Sequence, residues 1–198
     1  MARNESPPFD RGETWFSGVG ATTTDPTAVV GKEWLFEDVN PTTRAVRSNK
    51  YVRCRAVRNV SGIALLPRRL ASFKASAGSY GLEVDGYSTT TAARGYPVDE
   101  YLPSTGVSAN DVFWIVVDGP AEALTDIASV DTINVGDTLV ALTAVTSQAT
   151  TAGRVDLAAH GVSESALANQ IQNRIGYALS AKTSGNTNTA ILVEVGKW

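Results

Sequence analysis

The chain has 198 residues, 17 Lys and Arg against 20 Asp and Glu, and one cysteine. That length carries one sizeable core, or a core with a smaller lobe and an arm. The lone Cys54 excludes an intramolecular disulfide and a cysteine-built zinc site within one chain, and the mild net acidity argues against a nucleic-acid binder. No stretch approaches the roughly 20 apolar residues of a membrane span. The opening Met-Ala-Arg-Asn-Glu-Ser-Pro-Pro lacks the apolar centre of a signal peptide, so synthesis in the cytoplasm and no membrane partner are expected. Abundant Thr, Ser, Gly and Asn suit turns and half-buried strands, which makes a mainly β fold the starting expectation.

Residues 1–31 contain Pro-Pro, closely spaced glycines and a Thr-Thr-Thr-Asp-Pro-Thr run, with neither helical nor strand periodicity. They read as an extended arm. Its apolar anchors Phe9, Trp15 and Phe16 are expected to dock on a neighbouring molecule and to contribute nothing to folding of the free chain.

Residues 32–106 read as a small antiparallel meander followed by a loop-rich excursion. Trp34-Leu35-Phe36 forms a strand ahead of the turn signal Glu37-Asp38-Val39-Asn40-Pro41. Alternation from Asn49 to Arg58 then puts Arg53 and Arg55 on one face and Val52, Cys54 and Ala56 on the other. After a turn at Asn59-Val60-Ser61-Gly62, Ile63 to Leu66 returns, Pro67 with Arg68-Arg69 interrupts, and Leu70 to Phe73 resumes. Nine Lys or Arg residues and no acid lie between Arg44 and Lys74, whereas four basic residues meet nine acidic ones from Tyr101 to Trp198. A solvated basic strand face that meets an acidic protein partner is the expectation from that asymmetry. The polar stretch after Ala75 is expected to be a surface excursion presenting Tyr80, Tyr87, Tyr96 and Tyr101 to a neighbour.

Residues 107–198 read as an antiparallel β-barrel or sandwich. Asp111-Val-Phe-Trp-Ile-Val-Val-Asp-Gly-Pro120 is the most continuous apolar run, and its six core residues are all β-branched or aromatic. This is the expected central strand. Further strands are expected over Thr132–Val135, Thr138–Val145, Gln172–Ser180 and Thr189–Val195, with one or two helical turns between Ser163, as N-cap, and Gln170.

Little in the sequence points to chemistry. The sole histidine, His160, has neither a recognisable nucleophile nor a second histidine to share a metal. Asp118, Asp126, Asp131 and Asp137 flank the central strands, where Asp beside Gly is what β-turns demand. Phosphate-loop and dinucleotide fingerprints are absent, and Asn59-Val60-Ser61 matches a glycosylation acceptor without a secretory signal to support it. No catalytic residue, cofactor site or metal site is expected.

Four C-terminal segments carry a resemblance. Ile133-Asn-Val-Gly-Asp-Thr-Leu-Val140, Gly153-Arg-Val-Asp-Leu157, Asn173-Arg-Ile-Gly-Tyr-Ala-Leu179 and Ala190-Ile-Leu-Val-Glu-Val195 occur in the order of a pattern that resembles capsid decoration (cement) proteins of tailed bacteriophages. Residues from Gly31 to Leu70, with Phe-Glu-Asp-Val-Asn-Pro and Val-Arg-Asn-Val-Ser-Gly-Ile-Ala-Leu-Leu-Pro, look like the longer members of that group. The resemblance implies a β-tulip-like or barrel core and a structural virion protein on the outer face of an icosahedral head, often trimeric, clamping adjacent major capsid subunits. It supplies no active site. The contact residues expected on that reading are Phe9, Trp15, Phe16, Arg53, Arg55, Arg68, Arg69, Tyr87 and Tyr96. A receptor- or glycan-binding β-module of a virion fibre is the alternative, and a hydrolase using surface carboxylates stands behind both.

Overall fold

The computed structural model describes residues 7–15, 29–88, 94–126, 132–141, 152–158, 164–185 and 189–196. The chain is mainly β, with ten strands and one helix among these residues: β1 (Glu33–Val39), β2 (Val46–Asn59), β3 (Leu70–Phe73), β4 (Glu83–Tyr87), β5 (Gly95–Pro97), β6 (Val112–Leu124), β7 (Thr138–Ala141), β8 (Val155–Leu157), α1 (Glu164–Asn173), β9 (Arg174–Ala178) and β10 (Ala190–Val195). β6 is the expected central strand, extended by four residues past Pro120. Its side chains alternate between two cores, because neighbouring residues of a strand point to opposite faces. Val112, Trp114 and Val116 enter one cluster with Val52, Cys54 and Ala56 of β2, while Phe113 and Ile115 enter a second with Val57, Val84 and Val98. Burying each such Val, Ile or Phe contributes about 1.5–3 kcal/mol, so this strand holds both halves together.

The strands form one mixed, mostly antiparallel sheet in the order β5-β3-β4-β2-β6-β10-β9-β7-β8, with β1 paired to β2 off that path. β6 changes partner along its length: Val112 to Asp118 face β2, and Gly119 to Leu124 face β10. Gly119 sits at the handover with φ +94°, and a β-carbon there would lie 2.5 Å from the Tyr51 carbonyl oxygen. Asp118-Gly119-Pro120 is therefore a bend inside one long strand, not its end. A single parallel bridge between Thr125 and Val155, reinforced by Arg154 Nη1 donating to the Thr125 carbonyl at 2.9 Å, brings β8 back toward β6. No ladder follows from it among the described residues, and the sheet is not closed into the expected barrel.

The N-terminal segment corrects a second expectation. Phe9 is 9% exposed and stacks on Trp114 with ring centroids 4.6 Å apart, while the Trp114 indole donates to the Phe9 carbonyl at 3.1 Å. Trp15 exchanges backbone hydrogen bonds with Val112 at 2.7 and 2.9 Å. Residues 7–15 therefore complete the core of their own chain instead of standing off as an arm. Phe16 and the rest of residues 16–28 lie outside the described residues.

The expected excursion after Ala75 contains β4 and β5. Tyr87 is buried: its hydroxyl accepts from the Leu66 N–H at 2.7 Å and donates to the Ala64 carbonyl at 3.1 Å. Tyr96 packs against Phe73 at 4.7 Å, and the Tyr101 hydroxyl donates to the Val39 carbonyl. Tyr80 alone of the four is largely exposed. The helix α1 runs directly into β9, so the expected strand over Gln172–Ser180 begins two residues later, at Arg174.

Candidate functional site

The surface that stands out is the outward face of the β1–β2 ribbon. Register sets Glu33 opposite Arg55, Leu35 opposite Arg53 and Glu37 opposite Tyr51. These side chains share the face away from Trp34, Phe36, Val52 and Cys54, which belong to the first core. Leu35 and Tyr51 are 60% and 62% exposed. Two large apolar side chains thus lie on a diagonal across the ribbon among charges, an arrangement suited to contact with another surface.

Arg53 and Arg55 occupy the solvated strand face expected from the alternation, but that face is not simply basic. Arg55 ion-pairs with Glu33 and its Nε donates to Glu33 Oε1 at 2.9 Å; Arg53 lies 3.7 Å from Glu33 and 3.8 Å from Asp118. The same pattern holds elsewhere in the basic segment. Lys50 reaches Glu194 at 2.7 Å, Arg68 reaches Glu122 at 2.5 Å and Lys74 reaches Glu83 at 3.2 Å. Among the described residues, six of the nine cations from residues 44–74, Arg47 included, are met by acids contributed by other parts of the same chain. Half-exposed pairs of this kind contribute little to stability, but they remove much of the positive field that an acidic partner would meet.

Arg69 is an interior residue: its guanidinium lies 3.7 Å from the Tyr87 ring centroid and its Nε donates to the Ala152 carbonyl at 2.8 Å. Burial lowers its pKa from the ordinary arginine value. Arg69 and Tyr87, expected as contact residues, are thus packed against each other inside the chain. Arg68 and Tyr96 are half-buried, and Arg53, Arg55 and the β1–β2 apolar pair are the members the structure brings together. Sequence reasoning missed Leu35 and Tyr51 as contact candidates. The signal was the outward parity they share with Arg53 and Arg55, one strand apart.

Beneath the ribbon lies a buried knot of charge. Arg47 pairs with Asp38 at 2.7 Å, Glu100 at 2.5 Å and Glu122 at 3.5 Å, and Ser48 Oγ donates to Asp38 at 2.8 Å. Arg11 pairs with Asp99 at 2.8 Å, and the Gly12 N–H donates to the same carboxylate at 2.7 Å. Burial raises the pKa of Glu100, opposed by the Arg47 hydrogen bond and the Arg11 charge. For Arg11, burial lowers the pKa, yet the surrounding groups, Asp99 foremost and Glu100 with it, together outweigh it and the net shift is upward. These ion pairs tie residues 7–15, the β1–β2 hairpin and β6 to one another.

An open cleft of about 600 Å³ runs between residues 10–13 and the end of β1, lined also by Phe36, Glu37, Val39, Arg44 and Tyr101. Tyr101 joins its walls: it bonds Val39 on one side, and on the other a β-carbon at Gly12 would lie 2.9 Å from its carbonyl oxygen. Arg11 stacks over the Tyr101 ring at 4.2 Å, with Arg44 at 5.7 Å.

The other sequence candidates have quieter surroundings. Burial pushes the Cys54 thiol up to about 12, as expected of a core thiol. The Asn59 amide is buried and donates to Ile63 at 2.8 Å and Val107 at 3.0 Å, which leaves it no access to a glycosylating enzyme in the folded chain. Asp137 accepts from the Asn134 N–H at 2.7 Å as a turn residue. His160 and Asp131 lie outside the described residues. Among the described residues no group of three or more His, Cys, Asp or Glu is placed to hold a metal ion, and no helix is long and apolar enough to cross a membrane.

No protein-family model and no curated protein matches the chain.

Proposed function

We propose that this chain is a structural virion protein that binds the outer face of a phage icosahedral capsid as a homotrimer and cements adjacent major capsid subunits, without enzymatic chemistry or cofactor. The exposed β1–β2 face carries the proposal, with Leu35 and Tyr51 set beside the paired Glu33, Arg53 and Arg55. Such a surface gains from burial on a partner, and among the described residues Glu37 is the one unpaired charge that burial there would desolvate. The order of the four C-terminal segments, from Ile133 to Val195, supplies the resemblance that names the partner as a capsid. The finer fold reading, a β-tulip-like core, belongs to the same proposal and draws on the Thr125–Val155 bridge, which brings β8 within reach of β6.

One observation favours the second reading, a receptor- or glycan-binding module. The cleft beside β1 holds Phe36 and Tyr101, and sugars stack on aromatic faces. Both rings are occupied within the chain, however, Tyr101 by Arg11 and Phe36 by an edge-on contact with Trp114 at 5.4 Å.

The test is sedimentation with heads freed of this protein, comparing the intact chain with a Leu35→Asp, Tyr51→Asp double variant. The intact chain co-sediments, and the double variant binds at least about tenfold more weakly, equivalent to 1.4 kcal/mol, with an unchanged unfolding midpoint. Failure of the intact chain to bind heads rejects the capsid reading. Equal binding by the variant rejects this face.

A further inference from the structure

β1 pairs with β2 along one edge, and the pairing pattern shows what its other edge carries. The Ala56 N–H donates to the Lys32 carbonyl at 2.9 Å, which makes Lys32 and Ala56 a hydrogen-bonded pair. Bonded and non-bonded pairs alternate along an antiparallel ladder, and the register continues through Trp34 with Cys54 and Phe36 with Val52. The N–H and C=O groups of Glu33, Leu35 and Glu37 therefore turn away from β2. Among the described residues no hydrogen bond reaches them. A seven-residue edge strand with three outward residues unpaired is a template for a further strand.

The surroundings select the occupant. The cleft follows the C-terminal half of this strand, and its charged lining is Asp10, Glu13, Glu37, Arg11 and Arg44. Arg11 is consumed by Asp99 and Glu100, while Asp10, Glu13 and Glu37 form no ion pair among the described residues. Glu33 and Glu37 flank the exposed Leu35 on the outward face of β1. A second copy added antiparallel about Leu35 sets the unpaired Glu37 of each copy opposite a Glu33 that Arg55 already holds, so it supplies Glu37 with no cation and sets carboxylate against carboxylate. A sugar would need the Tyr101 face that Arg11 already covers.

We propose that the open edge of β1 takes up an extended segment of a partner protein as an added antiparallel strand, with a basic side chain opposite the unpaired Glu37 and an apolar side chain opposite Leu35. Backbone bonds to Leu35 and Glu37 supply the attachment, and the Glu37 charge beside the apolar Leu35 selects the sequence. The inference stands on the strand geometry and does not depend on the capsid reading.

The probe is the peptide acetyl-Lys-Thr-Val-Thr-Lys-amide, titrated into the intact chain while the backbone amide signals of Leu35 and Glu37 are followed by NMR. Saturable shifts centred on those two amides are expected. The same peptide with an N-methylated valine, which cannot donate to the Leu35 carbonyl, should lose them, and so should its Glu-Thr-Val-Thr-Glu counterpart. Glu37→Lys should weaken binding of the basic peptide at least about tenfold, and Leu35→Pro, which removes the outward N–H together with the apolar side chain but no hydrogen bond to β2, should do the same. Binding that survives N-methylation, or shifts centred elsewhere, overturns the proposal. Concentration-dependent shifts at the same amides without peptide would make the occupant a second copy, and equal shifts on adding maltotriose would make it a sugar; either result also overturns it.

Discussion

Replacing Phe9 by alanine tests whether the N-terminal segment is part of the folded core. Phe9 stacks on Trp114 at 4.6 Å and meets Trp15 edge-on at 6.1 Å, with 9% of its surface exposed. Buried Phe→Ala substitutions cost about 3–5 kcal/mol. The lower end applies here, because residues 7–15 can relax around the gap more readily than a central strand. A loss of about 3 kcal/mol in a chain of this size lowers the unfolding midpoint by about 6–12 °C. Tryptophan fluorescence is a suitable reporter, since Trp114 and Trp15 both line the altered contact. Phe9→Ala should unfold earlier and show red-shifted emission at room temperature. An unchanged midpoint and spectrum in the free protein would mean that this segment orders only on a partner, and would refute its place in the core.

Three other substitutions probe the charge knot and the sheet. Arg47→Ala leaves Asp38 and Glu100 buried without their main cation and should cost about 3–5 kcal/mol, read by urea unfolding at pH 7. Glu100→Gln tests the pH dependence. Because burial raises the folded-state pKa of Glu100, its contribution is fully favourable below the ordinary carboxylate pKa and is lost as pH rises through the folded value; intact protein should therefore gain stability relative to the variant between pH 7 and pH 5, and a gap that moves the other way contradicts the assignment. Gly176→Ala places a β-carbon 1.7 Å from the Glu194 carbonyl oxygen, so β9 and β10 must separate; soluble expression and circular dichroism should show a chain that fails to fold or loses most of its stability.

Strands and their faces were legible wherever neighbours in sequence decide them. The β-branched and aromatic run from Val112 to Val117 announces a strand buried on both sides, and the alternation from Val52 to Ala56 announces which face of β2 enters the core. Asp118-Gly119-Pro120 misled because a bend between two partner strands uses the same residues as a turn. The strand β4 was hidden by Asp85 and Gly86 in a stretch rich in turn formers, and only pairing with β3 and β2 makes it a strand. Phe9 and Trp15 were legible as anchors, but a single crossing segment has no period, and nothing local distinguishes docking on Trp114 from docking on another molecule. The same limit hid the fate of the basic segment: Arg47 finds Glu100 53 residues away and Lys50 finds Glu194 144 residues away. Charge counted along a sequence becomes a surface property only after folding decides which charges meet.

Cryo-electron microscopy of virions that carry this chain tests the proposed function most directly. The account predicts threefold density on the outer face of the head, with the outward face of the β1–β2 ribbon, Leu35 and Tyr51 included, covered by a neighbouring subunit. Density confined to a tail fibre, or a head-bound chain whose β1–β2 face is fully open to solvent, would contradict it.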